Sequence, residues 1–171
     1  MPSPDRLADE QPTRWLDPDE RTAWLGLARL MTKLPTALDA QLEREADLNY
    51  FEYNVMAMLS ERDDRTLRMS QLAALTNASL SRLSHVAKRL ESRDFIQREP
   101  DPDDGRYTKA VLTDVGMAKV EESAPGHVTA VRALVIDALT PTQLEQLNEA
   151  VQAIVARVDP GNSSWPRPPA V

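Results

Sequence analysis

Three residues, Thr76-Asn77-Ala78, are all that separate a short helical pattern over residues 69–75 from a second over 79–93. A helix, a tight turn and a second helix form the skeleton on which many proteins read DNA. Asn77 stands where the turn wants a left-handed backbone, which Asn tolerates and Gly usually supplies.

The second pattern divides into two faces when its residues are placed at about 100° intervals. Leu83, Val86, Ala87 and Leu90 fall on one side, and Ser81, His85, Lys88 and Ser92 on the other. Arg82 and Arg89 flank the polar face, which holds no acid, while Glu91 points near the core boundary. Short hydroxyls and donors on a convex helix suit base edges and phosphates in a major groove, which is wide enough to admit a helix. The competing reading of the same pattern is a solvated face that binds nothing.

Phe95 to Glu99 and Tyr107 to Leu112 read as two strands joined through PDPDDGR, a turn rich in Pro, Asp and Gly. Helix, turn, basic helix and hairpin, in that order, make the winged form of helix-turn-helix, and Arg106 sits at the tip of the wing. An arginine entering a minor groove responds to its width and negative potential more than to its sequence. The other use for Arg106 is pairing with Asp103 or Asp104 to hold the loop. The two uses are compatible, because an acid at the base of the loop would orient the guanidinium before DNA arrives.

Charge follows the same map. The 171 residues carry a net −7, yet residues 68–109 hold eight Lys and Arg against six acids and are the only positive third. Residues 68–98 alone hold six bases and two acids, Glu91 and Asp94, so a polyanion would dock there.

On either side lie longer amphipathic helices. Asp17-Pro18-Asp19-Glu20 caps a first helix to about residue 46, with Pro35 predicted to kink or break it. Asn49 with Glu52 opens a second, and Thr113-Asp114 opens a fifth, predicted to be interrupted near Ala124-Pro125-Gly126. Thr140-Pro141 caps a last one, with Leu144, Leu147, Val151, Ile154 and Val158 on one face. The apolar stripes of the first and last helices are wider than the middle of the chain could cover, so they bury against each other or against a second copy. A twofold dimer would set two recognition helices about 34–36 Å apart on a pseudo-palindromic site. The alternative is a monomer folding both arms over itself.

Composition excludes much else. With no cysteine there is no disulfide, thiol catalysis or Cys-bound metal. No apolar run approaches the roughly 18 residues of a membrane span, and the acidic N-terminus has no apolar core of a secretory signal, so a cytoplasmic location is expected. No nucleophile elbow, phosphate loop or metal-spaced His pair is present. A calcium loop with Gly105 at its sixth position would put Pro100 and Pro102 at the first and third, where neither can ligate through a side chain. Asp101, Asp103 and Asp104 read as lying on an exposed loop, where desolvation would not retune them for catalysis. Neither an enzyme, a cofactor nor a metal is expected.

The stretch from RMSQLA through SLSRLSHVAKRLESRDFIQREPDPDDGRYTKAVLTDVG resembles the multiple antibiotic resistance regulator (MarR) family of bacterial transcription factors. The run REPDPDDGR followed by VLTDVG carries most of the likeness, which extends more loosely over residues 17–158. The resemblance implies a mainly α winged helix-turn-helix fold with six helices and a small β-hairpin wing. It also implies an intertwined homodimer built through the first, fifth and sixth helices. On this reading residues 1–16 form a flexible arm, 17–48 and 113–158 the dimerisation region, 49–112 the DNA-binding lobe and 159–171 a disordered tail. Ser79, Ser81, Arg82, His85, Lys88 and Arg89 map onto the recognition helix and Arg106 onto the wing arginine. Two positions depart from the family pattern. Asp94 stands where a Gly usually ends the recognition helix, and Arg68 stands where a Ser or Thr would cap the third helix, offering a phosphate contact instead. Family members bind small aromatic or anionic effectors between the dimer helices and the DNA-binding lobe. Trp24, Tyr50, Tyr53, Asn54, Met58 and His127 are the candidates for such a pocket, although residues of these types at helical spacing also serve as core packing. The expected function is that of a sequence-specific, ligand-responsive repressor bound to double-stranded DNA. The alternative is a winged-helix module that binds protein.

Overall fold

The computed structural model describes residues 12–102 and 104–160, so Asp103 and most of the predicted flexible arm and disordered tail lie outside it. The described chain divides into two units between Leu34 and Pro35.

The first unit holds the start of helix α1, Pro18–Ala46. Asp17 Oδ1 accepts hydrogen bonds from the backbone N–H of Asp19 and Glu20, while Glu20 Oε2 accepts from Asp17 N. Three backbone donors are thereby satisfied, two by Asp17 and one by Glu20, with Pro18 placed where no N–H is needed. The apolar stripe of this unit, including Trp24, Leu25, Leu30 and Met31, is exposed. α1 continues through Pro35, so the predicted break does not occur; one missing N–H removes one hydrogen bond from a 29-residue helix.

The second unit begins at Pro35 and contains α2 (Tyr50–Ser60), β1 (Thr66–Arg68), α3 (Met69–Leu75), α4 (Leu80–Ser92), β2 (Ile96–Pro100), β3 (Thr108–Leu112), α5 (Asp114–Leu134) and α6 (Pro141–Val158). A single 3₁₀ turn, Ile136–Ala138, links the last two. Six helices and a small sheet are the mainly α winged architecture expected. The hairpin is part of a three-stranded antiparallel sheet in the order β1-β3-β2, with Leu67 opposite Ala110 and Ile96 opposite Leu112. Strand β1 was not expected; three residues are too few to show an alternating pattern in sequence.

Leu42, Leu48, Val55, Met56, Leu59, Leu72, Leu83, Leu90, Ile96 and Leu112 form the centre of the core, each at most 2% exposed. The α2 cap is the predicted capping box, in which Asn49 Oδ1 accepts from Glu52 N and Glu52 Oε2 from Asn49 N. Asn77 and Asp94 take the expected left-handed backbone, at φ 47° and 59°, as do Asp47 and Arg65.

Helix α5 runs unbroken through Pro125, which corrects the predicted interruption at residues 124–126. The lost hydrogen bond is local, whereas the helix is held to the rest of the unit on both sides of the proline, by Val120 in the core and by His127 against Tyr53. Gly126 lies close to α1: a Cβ there would come within 2.8 Å of Glu45 Oε2. Helix α6 has no buried residue, and its stripe of Leu144, Leu147, Val151 and Ile154 is exposed.

Candidate nucleic-acid interface

The site is built on α4. Its start is fixed by Ser79, whose Oγ accepts from Arg82 N at 3.2 Å, which leaves the hydroxyl hydrogen available to donate. Leu83, Val86, Ala87 and Leu90 anchor the helix in the core, so 3.6-residue periodicity turns Ser81, Ser84, His85 and Lys88 to the surface. Among the described residues, none bonds to Ser81, His85 or Lys88, and these three side chains stand ready for an external partner.

The arginines around them are held instead. The Arg89 guanidinium reaches Glu52 of α2, Nη2 to Oε1 2.7 Å, and that carboxylate is almost fully buried. Arg82 lies over the Phe51 ring, 4.3 Å from its centroid. A cation over a ring keeps its charge, so Arg82 is oriented without being neutralised. Arg93 donates to Asp47 and lies over Phe95 at 4.7 Å. These ties are tertiary, and sequence reading saw only a basic flank.

The wing is fastened to α4 and α3 by two ion pairs that the sequence reading missed. Arg98 of β2 donates through Nε and Nη2 to Glu91 Oε2, at 2.9 and 2.6 Å, and its backbone N–H donates to Glu91 Oε1. The hydrogen bond from Arg98 holds the Glu91 carboxyl below its usual range. At the root of the wing, Arg68 Nε donates to Asp101 Oδ2 at 2.5 Å, with Lys109 Nζ 3.9 Å from the other oxygen. Asp101 is 2% exposed, so the expectation that it sits on an exposed loop is wrong. Arg68, 33 residues earlier at the end of β1, and Lys109 of β3 face its carboxylate, and its backbone N–H donates to Tyr107 O across the loop. Arg68 also lies over the Tyr107 ring, 4.9 Å from the centroid. Its backbone N–H donates to Gln71 Oε1 at 3.2 Å, which is the half of a capping box that Gln71 supplies, while the guanidinium offers no acceptor in place of a Ser or Thr hydroxyl.

Arg106 is exposed at the wing tip and grips Asp104, with Nη2 to Oδ2 2.6 Å and Nε to Oδ1 2.9 Å. The guanidinium's hydrogen bonds draw the Asp104 carboxyl below its ordinary range. Of the two acids offered as partners, Asp104 is therefore one; Asp103 lies outside the described residues. A groove of about 270 Å³ separates α4 from the wing, lined by Ser70, Leu80, Ser84, Arg98, Arg106 and Tyr107.

The candidate effector residues are only partly brought together. The His127 ring lies 4.6 Å from that of Tyr53 and 6.1 Å from that of Tyr50. Burial pushes the His127 imidazolium below its usual pKa, and Nδ1 is buried with no hydrogen-bond partner. Met58 is buried in the core and Asn54 is half-buried. Trp24 belongs to the first unit and is about half exposed, at 52%.

The sequence profile of the MarR family matches residues 48–108, which span α2 to the start of β3. Two of the solved structures this chain is similar to match most of its length. Sco3205, a MarR family transcriptional regulator from Streptomyces coelicolor crystallised in complex with DNA, is 37% identical. That alignment covers 93% of this chain and 100% of Sco3205, with a TM-score of 0.83. AbsC, a MarR family regulator from the same organism, is 36% identical over 85% of this chain and 98% of its own, with a TM-score of 0.80. Among curated relatives, the HTH-type transcriptional repressor IacR of Pseudomonas putida is 26% identical over 117 residues. That match takes in 67% of this chain and 66% of IacR, just under two thirds of the relative's length. With its fold, its hairpin and more than a third of its residues shared with a regulator of that kind, the chain belongs to the MarR family.

Proposed function

We propose that this protein is a homodimeric, sequence-specific DNA-binding transcriptional regulator. It acts in the cytoplasm as a repressor, leaving its operator when a small aromatic or anionic ligand shifts the spacing of its two lobes. The observation that carries this reading is the pairing of an exposed, acid-free face on α4, Ser81, His85 and Lys88, with a wing arginine already aimed by Asp104. Helix residues approach base edges and Arg106 the adjacent minor groove, while Ser79, Arg82, Arg89 and Arg68 meet phosphates from positions set by their neighbours. The DNA held by Sco3205 and the repressor activity named for IacR support the same assignment.

A second copy is the partner that suits the apolar residues left exposed on α6 and on the first unit. Tyr50, Tyr53 and His127 are the nucleus of an effector site, with Asn54 and Met58 as its further candidates in the same unit. Among the described residues no helix is long and apolar enough to cross a membrane.

The test is retention of the full chain on immobilised duplex DNA at about 50 mM salt. Retention followed by release near 200 mM is expected, because each neutralised phosphate contributes about −0.9 to the slope of log K against log salt. No retention at any salt would favour a module that binds protein.

A further inference from the structure

Leu80 is out of place on the face it occupies. It opens α4, is 54% exposed, and is the one large apolar side chain exposed among the residues of that helix. The next helical turn places Ser84 beside it, and both line the groove toward Arg98, Arg106 and Tyr107. A leucine left in water on a helix that buries Leu83, Val86, Ala87 and Leu90 gains nothing for the fold. The surrounding hydroxyls and guanidinium groups suit a polyanion rather than an apolar protein face.

The floor of a major groove offers one apolar group, the C5-methyl of thymine. The first turn of a recognition helix is the part that comes nearest the base edges. We infer that Leu80 is a specificity-determining residue that selects thymine in each half-site by packing on its methyl group. The inference rests on the DNA-binding reading above and adds to it a base that the polar residues do not specify. Ser84, one turn further along, is placed to accept or donate at the neighbouring base, so the preference for thymine is tied to one position.

The experiment uses duplexes that the full-length protein enriches from a random pool, in which each thymine is replaced in turn by deoxyuridine. The exchange removes one methyl group and leaves every hydrogen-bonding group unchanged. Wild-type protein should lose about fourfold in affinity for each uracil placed under a Leu80 side chain. Leu80→Ala, which removes the contact from both half-sites at once, should bind the thymine duplex about as weakly as wild type binds a duplex carrying uracil in both half-sites, and should be indifferent to the exchange. Its thermal unfolding should match wild type, since the side chain is exposed.

If wild type tolerates uracil at every position, or if Leu80→Ala loses affinity equally on thymine and uracil duplexes, the inference is overturned. A Leu80→Ala variant whose oligomeric state changes while its base preference does not would assign the residue to a protein contact and overturn it as well. Failure to enrich any duplex would overturn the DNA-binding reading itself, a different result from enrichment without dependence on the methyl group.

Discussion

The guanidinium of Arg68 closes on the carboxylate of Asp101, with Nε 2.5 Å from Oδ2, and the Asp101 side chain has no exposed surface. Arg68 ends β1 and precedes α3, whereas Asp101 follows β2, so this pair joins the root of the wing to the helix-turn-helix. Removing one partner from a buried pair leaves a charge in a medium that solvates it poorly.

Arg68→Ala should therefore destabilise the protein by about 2–3 kcal/mol, less than the roughly 3–5 kcal/mol of a fully buried pair, because the guanidinium is partly exposed and Lys109 remains beside the carboxylate. Urea unfolding of Arg68→Ala, Asp101→Ala and the double variant measures the coupling. The double variant should lose much less than the sum of the single ones. Additive losses would mean that the pair is not a unit.

Gly116 lies against the backbone where β2 begins, and a Cβ added to it would meet Phe95 O at 2.0 Å and Leu112 Cδ1 at 2.7 Å. The Phe95 carbonyl, just ahead of β2, is held by hydrogen bonds from Thr113 N and Thr113 Oγ1, so Gly116→Ala should lose about 3 kcal/mol or fail to fold. Gly105→Ala in the wing meets nothing within 4 Å and should stay within about 0.5 kcal/mol of wild type. Thermal unfolding of the two variants side by side tests the contrast.

His127 makes stability depend on pH. Burial lowers its pKa in the folded chain from the ordinary 6.5, so the unfolded chain takes up the proton first as pH falls. The contribution is fully present above about pH 6.5 and declines as pH drops from there toward the folded pKa. Unfolding followed between pH 7.5 and 5.5 should show a loss of stability that His127→Gln flattens, whatever its effect on stability at pH 7.5. An unchanged slope in the variant would show that the imidazole is not the titrating group.

Much of this architecture is legible before folding is considered, and the reasons differ by element. Helix α4 is legible because Leu83, Val86, Ala87 and Leu90 repeat with helical period, and the same repeat brings Ser81, His85 and Lys88 to the surface. The left-handed turns at Asn77 and Asp94 are local, and so is the Asn49 to Glu52 cap. Strand β1 is not legible, since Thr66-Leu67-Arg68 becomes a strand only by pairing with β3, more than forty residues later in the sequence. Pro125 misleads for a related reason. Its penalty is local and visible in sequence, while the packing that offsets it is tertiary. In the site, the arginines of α4 were found by charge alone, but their partners Phe51 and Glu52 come from α2. The burial of Asp101 has no periodic signal at all.

The division of labour between wing and helix predicts two kinds of loss. Arg106→Ala should weaken binding to every duplex and reduce the salt slope by about 0.9, whereas Ser81→Ala and His85→Ala should change which duplexes are preferred. Titrations of each variant against preferred and scrambled duplexes at several salt concentrations separate the two. Variants that all reduce binding uniformly would remove the base-reading role from α4.

The central claim is that two copies of α4 read one duplex together. Enrichment of bound duplexes from a random pool, followed by sequencing, tests it most directly. Inverted half-sites whose centres lie about 34–36 Å apart, one turn of DNA, are predicted. Enriched sites with no inverted symmetry, or no enrichment at all, would contradict it.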